Sequence, residues 1–182
     1  MVAAAREKPG ALNFSSSGNA TPSHFMLERF KLAARVQITH VPYRGSAPAL
    51  NDIMAGRING TIDSMPALLG QIRSGRVKAL AVSGRERAPQ LPGVPTLAES
   101  GFPDLVVNTW FGIAVPAGTP ADIVQRLSQE ILAAVQSPEV KLRLDELSFA
   151  PALMSAAETQ RFIQAEIERW RPVVAAAGIT FQ

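Results

Sequence analysis

Short apolar runs alternate with amphipathic segments over the first hundred residues, and no other feature constrains the fold as much. The runs at 12–14, 36–41 and 57–62 have the length of strands, and each is followed by apolar residues at helical spacing. Strands that are joined by helices form parallel sheets. The sequence therefore predicts an α/β fold. A further run at 77–82 is predicted to be its most buried strand, because it has little polar alternation.

Capping residues predict where the helices begin. Thr21 is a good N-cap and Pro22 suits the first helical position, so a helix is expected to follow them. Thr96 and Glu99 have capping-box spacing and predict a short helix after a proline-rich loop at 84–95. Caps are likewise expected at Ser46 and Ser64, with Gly56 and Gly75 ending the helices that they start.

Beyond residue 116 the sequence predicts helices and almost no strand. Ser137 and Pro138 are expected to break one helix and to open another that runs through Leu147, and Ser155 with Glu158 forms a second capping box. Pro172 is expected to kink the last helix, and a very short strand is predicted at 179–181.

The C-terminal helices carry wide apolar stripes, which need a sheet or other helices to cover them. A long apolar segment at 105–115 is expected to be a strand that leaves one packing unit and enters another. The C-terminal third is therefore predicted to belong to a lobe whose sheet is not in this sequence. The stripes consist of Ile123, Leu127, Ile131 and Val135, and of Ile163, Ile167, Trp170 and Val174.

Composition excludes several classes of protein. The 182 residues include no cysteine, which excludes disulfide scaffolds and thiol nucleophiles, and two histidines are too few for a typical zinc site. The net charge is +3, with scattered basic residues and one Tyr and two Trp for stacking. Nucleic-acid binding is not expected, whereas a small anionic ligand is compatible with this charge. We expect no metal, no cofactor and no segment that spans a membrane.

The most informative candidate site is the segment 15–24. A strand feeds a loop of hydroxyl residues and Gly18, and a helix follows at once. Backbone N–H groups at such a helix start form an anion site, to which Ser16, Ser17, Thr21 and Ser23 would add donors for a carboxylate or phosphate. The alternative is that Thr21 merely caps the helix and the serines fill a polar turn. The segment matches neither a Walker loop nor a dinucleotide-binding fingerprint.

Three further candidates follow strands or begin a helix. Asp63 is expected at the carboxyl end of a strand, where open α/β sheets bind ligands, or else it is a loop aspartate that holds its own turn. Tyr43 and Arg44 follow another strand, and Arg44 faces either a ligand or solvent. His24 lies in a first helical turn near several serines. It is either the base of a hydrolase or a buried histidine bonded to a backbone carbonyl. No G-x-S-x-G elbow occurs, and no catalytic residue is assigned.

Taken together, several segments resemble one family, the substrate-binding proteins of tripartite tricarboxylate transporters, known as the Bug family. The resemblance covers essentially the whole chain, and its specificity lies in the order and spacing of the segments. They are residues 8–14 (KPGALNF), 16–24 (SSGNATPSH), 41–45 (VPYRG), 62–63 (ID), 75–82 (GRVKALAV), 94–101 (VPTLAESG), 110–112 (WFG), 116–120 (PAGTP) and 166–170 (EIERW).

This resemblance implies a type II periplasmic binding protein fold, in which two α/β lobes close on a small carboxylate that is then delivered to a membrane permease. It implies a periplasmic binding protein and not an enzyme. Residues 1–108 would form one nearly complete second lobe, and 109–182 a crossover strand and the helical remainder of the first lobe. The resemblance implies ligand-binding roles for Ser17, Gly18, Thr21, Ser23, His24 and Asp63. Ser16 and Tyr43, which follow from the sequence pattern, complete the set of expected ligand-binding residues.

The sequence departs from the family pattern in ways that shape further expectations. Ala20 stands where a glycine is usual, and Asn59 replaces a common acidic residue. The first-lobe loops and a signal peptide are not found, so we expect a truncated C-terminal part that would stay in the cytoplasm as written. Its uncovered helices are expected to form a homodimer or to be exchanged between chains. The alternatives are a ligand-sensing or interaction domain without a transport role, and a small hydrolase using Ser17 and His24.

Overall fold

Three short parallel strands form the sheet of the computed structural model, which describes residues 1–147 and 149–179. They are β1 (Asn13–Ser16), β2 (Thr39–Pro42) and β3 (Gly60–Thr61), in the order β2-β1-β3. Phe14 of β1 pairs with His40 of β2 and with Gly60 of β3. The predicted α/β class with a parallel sheet is confirmed.

Four helices belong to this N-terminal part and three follow in the C-terminal part. The first four are α1 (Val2–Glu7), α2 (Pro22–Ala34), α3 (Ser46–Met54) and α4 (Met65–Arg73). The last three are α5 (Ala121–Gln136), α6 (Pro138–Glu146) and α7 (Ala156–Ala177). None of the helices within the described residues is both long enough and apolar enough to cross a membrane.

The predicted helix starts are mostly correct. Thr21 caps α2 by accepting a hydrogen bond from the His24 N–H at 3.4 Å, and Pro22 is the first helical residue. Ser46 is not a cap, because the helix already includes it and Gly45 takes the N-cap position with a φ of 100°. Ser64 is the N-cap residue of α4, but its side chain makes no capping hydrogen bond.

The order of the strands places the two helical connections, α2 between β1 and β2 and α3 between β2 and β3, on opposite faces of the sheet. Helix α2 packs on β1 and β2, whereas α3 packs on β1 and β3. The chain moves from β1 to β2 in one direction and then passes back across β1 to β3, so right-handed connections put these helices on different faces. The reversal makes the gap between β1 and β3 the switch point, where α/β sheets bind ligands beyond their carboxyl ends.

The core of this part lies between α2 and the sheet. Leu27 is fully buried, and Met26, Phe30 and Phe14 are nearly so. The ring of Phe14 covers its strand neighbour Gly60 so closely that a Cβ built there would lie 2.8 Å from the ring. The tight contact fixes β3 against β1.

The expected buried strand at 77–82 is wrong. This segment is not in the sheet, and Leu80 is 54% exposed. Within the described residues its one β contact is a parallel bridge between Val82 and Thr96, in which Val82 N–H donates to the Pro95 carbonyl at 2.9 Å. An apolar run becomes a strand only beside a hydrogen-bonded neighbour, and β3 pairs with β1 alone.

The predicted loop at 84–95 is confirmed, and the capping box after it forms without a helix. Thr96 N–H donates to the Glu99 carboxylate at 2.7 Å, and Glu99 N–H donates to the Thr96 hydroxyl at 3.0 Å. The chain then makes turns and ends them at Gly101, whose φ of 94° is left-handed. The predicted capping box is therefore confirmed, whereas the prediction of a short helix after it is wrong.

The expected crossover strand at 105–115 is also wrong. Leu105 and Val107 are buried, but none of these residues is in a strand, and Phe111 and Ile113 are largely exposed. Val107 N–H donates to the Ser83 carbonyl at 2.9 Å, which ties this segment to the end of 77–82 and not to a sheet.

The chain divides into two compact units. One contains Met1–Thr109 together with the described residues from Pro172 onward, and the other is Trp110–Arg171. That the first is a second lobe and the other a remnant of a first lobe stays a prediction.

The Trp110–Arg171 unit contains an aromatic pair and two capped helix starts. Trp110 contacts Phe162 edge-on, with ring centroids 5.4 Å apart, and Ser137 caps α6. The capping box at the start of α7 forms as predicted, with Ser155 N–H donating to Glu158 at 2.8 Å. Four apolar residues on α5 and α7 are exposed, namely Ile123, Leu127, Ile163 and Ile167.

Two expectations concern the end of the chain. Pro172 lies inside α7, which continues to Ala177. Of the expected terminal strand at 179–181, Ile179 is not in a strand, and residues 180 and 181 lie outside the described residues.

Candidate functional site

The predicted site residues follow the carboxyl ends of the three parallel strands. Backbone hydrogen bonds hold two of the loops together, since Tyr43 N–H donates to the Ser16 carbonyl at 3.1 Å and Gly45 N–H to the Ser17 carbonyl at 3.0 Å. Asp63 follows β3 on the other side of β1. The topology therefore brings the loop between β1 and α2 to the centre of this edge. Together with the first two residues of α2 it is here called the 17–23 loop.

Three hydroxyl groups of the 17–23 loop form a chain of hydrogen bonds with one consistent direction. Thr21 Oγ1 donates to the Gly18 carbonyl at 2.7 Å, so it accepts from Ser23 Oγ at 2.9 Å. Ser23 Oγ in turn accepts from both the N–H of Ser17 at 3.0 Å and its hydroxyl at 2.9 Å. Each hydroxyl proton is used inside the loop. These side chains therefore fix the loop's shape and have no proton left to donate to a ligand.

Backbone groups of the same loop remain available. Within the described part of the chain, the N–H groups of Asn19, Thr21 and Ser23 have no hydrogen-bond acceptor. They stand at the N-terminus of α2, where the helix dipole is positive. Several free N–H groups at such an end can receive the oxygens of an anion.

The backbone of the 17–23 loop adopts conformations that are unusual for L-residues. Gly18 has a φ of 151°, and a Cβ there would lie 3.2 Å from the Thr21 methyl group. Ala20, the residue that departs from the family pattern, has a left-handed φ of 55°. Such a φ is readily adopted by glycine and is costly for alanine, so the loop needs support from neighbouring groups.

His24 provides part of that support, in a way that the sequence did not indicate. Its Nδ1 accepts a hydrogen bond from the Ala20 N–H at 3.2 Å, whereas the expected alternative was a bond to a backbone carbonyl. The His24 ring stacks on His40, with centroids 3.9 Å apart. Burial lowers the pKa of His24, an effect that Glu28 opposes.

His40 is the residue that sequence reasoning missed. Its Nε2 lies 2.6 Å from Ser16 Oγ, and Ser16 is fully buried. Burial, and then the proximity of His24, lower the pKa of His40 to about 4. The signal that could have found it is its place in the predicted strand beside β1, because paired residues of neighbouring parallel strands share a face.

The side chains of Tyr43 and Asp63 are engaged within the chain. The Tyr43 hydroxyl donates to Asp52 at 2.7 Å, which raises the pKa of Tyr43, and Arg57 contacts the same carboxylate at 2.7 Å. Asp63 accepts from the Ser64 N–H at 2.7 Å, which is the alternative expected for it, a loop aspartate that holds its own turn. Arg44 is exposed.

The arrangement does not form a nucleophile and base from Ser17 and His24. His24 Nδ1 is occupied by the Ala20 N–H, and the hydroxyl of Ser17 is bonded to Ser23. The serine that does contact an imidazole, Ser16, has no exposed surface. Among the described residues no group of three or more acidic or histidine side chains could hold a metal ion.

Comparisons with known proteins identify the family of this chain. The family model described as "Tripartite tricarboxylate transporter family receptor" matches residues 1–179. A protein from Pseudomonas sp. (strain P51), encoded in the tcbD-tcbE intergenic region, is 41% identical over 175 residues, which are 96% of this chain and 52% of that protein. The chain thus spans about half the length of this curated relative.

Two solved structures are similar in fold. The structure of Rpa4515 from R. palustris with adipate has a TM-score of 0.89 and 37% identity, over 98% of this chain and 60% of that one. MatC from Rhodopseudomonas palustris with bound malate has a TM-score of 0.84 and 30% identity, over 95% of this chain and 60% of that one. With its parallel sheet and its family match over nearly every residue, the chain belongs to the receptor family of tripartite tricarboxylate transporters.

Proposed function

We propose that this chain is the carboxylate-binding part of a solute-binding receptor, and that a ligand carboxylate binds at the N-terminus of α2. The observation that carries the proposal is the set of N–H groups without acceptors at Asn19, Thr21 and Ser23. A carboxylate oxygen accepts from such groups, and the helix dipole favours its charge. The adipate and malate in the two similar structures are ligands of this chemical class.

The other predicted residues have supporting roles in this proposal. Ser17, Thr21 and Ser23 hold the loop through their hydroxyl chain, and Gly18 lets the backbone approach closely. His24 and Ser16 support the loop from α2 and β1, while Tyr43 and Asp63 place the neighbouring loops at the same edge.

We place this binding function in the periplasm, with delivery of the ligand to a membrane permease. The support is membership of a transporter receptor family. The proposed activity is binding without chemical conversion. In the 17–23 loop the hydroxyl of Ser17 is bonded to Ser23, and the serine that contacts an imidazole, Ser16, is fully buried.

Amide NMR and calorimetry with adipate and malate test the ligand site. At pH 7.5 the amide signals of Asn19, Thr21 and Ser23 are expected to shift on addition of ligand. Ser23→Ala removes the acceptor of the Ser17 N–H and should raise Kd about tenfold, the effect of one hydrogen bond. Ser137→Ala likewise removes a serine hydroxyl that accepts from a backbone N–H, here that of Val140 in the other unit, and should leave Kd unchanged. Shifts confined to other residues would contradict the site.

A separate observation supports self-association of this 182-residue chain. Ile123, Leu127, Ile163 and Ile167 are each between 36% and 49% exposed on α5 and α7. Apolar faces of this kind are usually covered in an interface. We propose a homodimer in which these faces contact a second copy of the chain.

A further inference from the structure

Two stacked imidazole rings lie against the 17–23 loop, and they are the two histidines of the sequence. His24 comes from the first turn of α2 and His40 from β2, and their ring planes differ by only 14°. His24 is buried and His40 is half-buried.

Each ring is bonded to the backbone or side chains that shape the loop. His24 Nδ1 accepts from the N–H of Ala20, the alanine with a left-handed φ. His40 Nε2 contacts Ser16 Oγ, and this hydroxyl lies 2.9 Å from the Gly18 carbonyl oxygen. The pair therefore supports the loop at both of its unusual backbone positions, Gly18 and Ala20.

The bond to Ala20 requires a particular protonation state. An imidazole nitrogen accepts a hydrogen bond only while it has no proton, so His24 is neutral with its proton on Nε2. That proton lies near Glu28, whose Oε1 is 3.8 Å from Nε2 and is itself bound by Lys31 at 2.7 Å. These two residues of α2 are the charged groups that act on the pair, while β1 faces it with Ser16 and β2 contributes His40.

Resting on the proposed function, we propose that the neutral His24–His40 pair holds the 17–23 loop in the conformation that receives the ligand carboxylate, and that protonation of His24 releases the loop. A protonated Nδ1 would point a second donor at the Ala20 N–H, so that hydrogen bond is lost. The new cation would also lie against the ring of His40. His24 and His40 are thus positioning residues, and ligand affinity falls in mild acid.

The direction of the pH effect follows from the lowered pKa values. Burial favours the neutral rings in the folded protein, so their support of the loop is complete above the ordinary histidine pKa of 6.5. It is lost as the pH falls below 6.5 through the lowered pKa values, of which that of His40 is about 4.

The first experiment needs no ligand. The ring signals of the two histidines and the amide signal of Ala20 are followed by NMR in the untagged full chain between pH 7.5 and 4. We expect the Ala20 amide to shift with the same midpoint as the His24 ring. An Ala20 amide that does not follow His24 would overturn the proposal.

Two variants outside the loop move that midpoint in opposite directions. Glu28 raises the pKa of His24 and Lys31 lowers it, so Glu28→Gln should shift both midpoints to lower pH and Lys31→Gln to higher pH. A merely structural contact would not produce opposite shifts from two neighbouring substitutions. Equal or absent shifts of the Ala20 midpoint would count against the imidazole as the loop's support.

Calorimetry with adipate then connects the loop to binding. Once His24 takes up its proton, Kd should rise by up to about tenfold per pH unit. The carboxylates of adipate titrate in the same pH range, but they do so identically for the unsubstituted chain, Glu28→Gln and Lys31→Gln. A displacement between the three curves of Kd against pH therefore reports on His24. Absence of adipate and malate binding at pH 7.5 would refute the proposed ligand, while a coupled Ala20 titration would still support the histidine pair. Binding curves that coincide for the three proteins would refute the coupling.

Discussion

Substitution of Gly60 tests how tightly the sheet is packed beside the candidate site. An alanine Cβ at this position would lie 2.8 and 2.9 Å from two carbons of the Phe14 ring, whereas ordinary contacts begin at 3.4 Å. The ring would have to move by about 0.6 Å, and it is 95% buried. Overpacking of this kind costs about 1–3 kcal/mol.

An opposing effect reduces this cost. Alanine restricts the unfolded chain more than glycine does, which stabilises the fold by about 0.4–1 kcal/mol where the backbone allows it. Gly60→Ala is therefore expected to lower the free energy of unfolding by about 0.5–2 kcal/mol. Gly70 is the matched control, because it lies in α4 with nothing within 4 Å of a built Cβ. Gly70→Ala should raise the free energy of unfolding by about 0.5–1 kcal/mol.

Urea denaturation followed by circular dichroism measures both variants. A double-mutant cycle with Phe14→Leu then locates the clash, because a smaller side chain makes room for the new methyl group. The double variant should be more stable than the sum of the single effects by about 0.5–2 kcal/mol. Additive effects, or a Gly60→Ala variant as stable as Gly70→Ala, would refute the packing argument.

Two further predictions concern other parts of the molecule. Because Tyr43 is the only tyrosine in the sequence, its ionisation can be followed by absorbance, and Asp52→Asn should lower its raised pKa toward 10; an unchanged titration would mean that the carboxylate is not the cause. Sedimentation at micromolar concentration should show a dimer, which Ile167→Asp returns to monomer while Leu142→Asp on α6 does not. A compact wild-type monomer would exclude the proposed self-association.

Local interactions could be predicted well from the sequence. The cap at Thr21 and the capping boxes at Thr96 and Ser155 each join residues three positions apart, so the chain itself supplies both partners. For the same reason the hydroxyl residues of the 17–23 loop could be grouped before the structure was known.

Interactions between distant segments could not be predicted in the same way. The strand at 77–82 was expected from its apolar composition, but its sheet neighbour would have to come from elsewhere in the chain. His40 was missed because its role depends on the register that places β2 beside β1 and on the helix that brings His24 to it. The side chains of Tyr43 and Asp63 were placed at the right edge, but their bonding partners could not be foreseen.

The segment 77–82, which among the described residues has a strand-like contact only at Val82, has a consequence for the behaviour of the protein in solution. Its sequence, VKALAV, combines β-forming residues with a single charge, and Leu80 is exposed. Backbone of this composition without strand neighbours on both sides is a template for pairing between molecules, as in the early steps of fibril growth. Lys78 within the segment and Arg76 just before it are the kind of charged residues that oppose such stacking. Their positive charges therefore protect the solubility of a segment that the sheet leaves open.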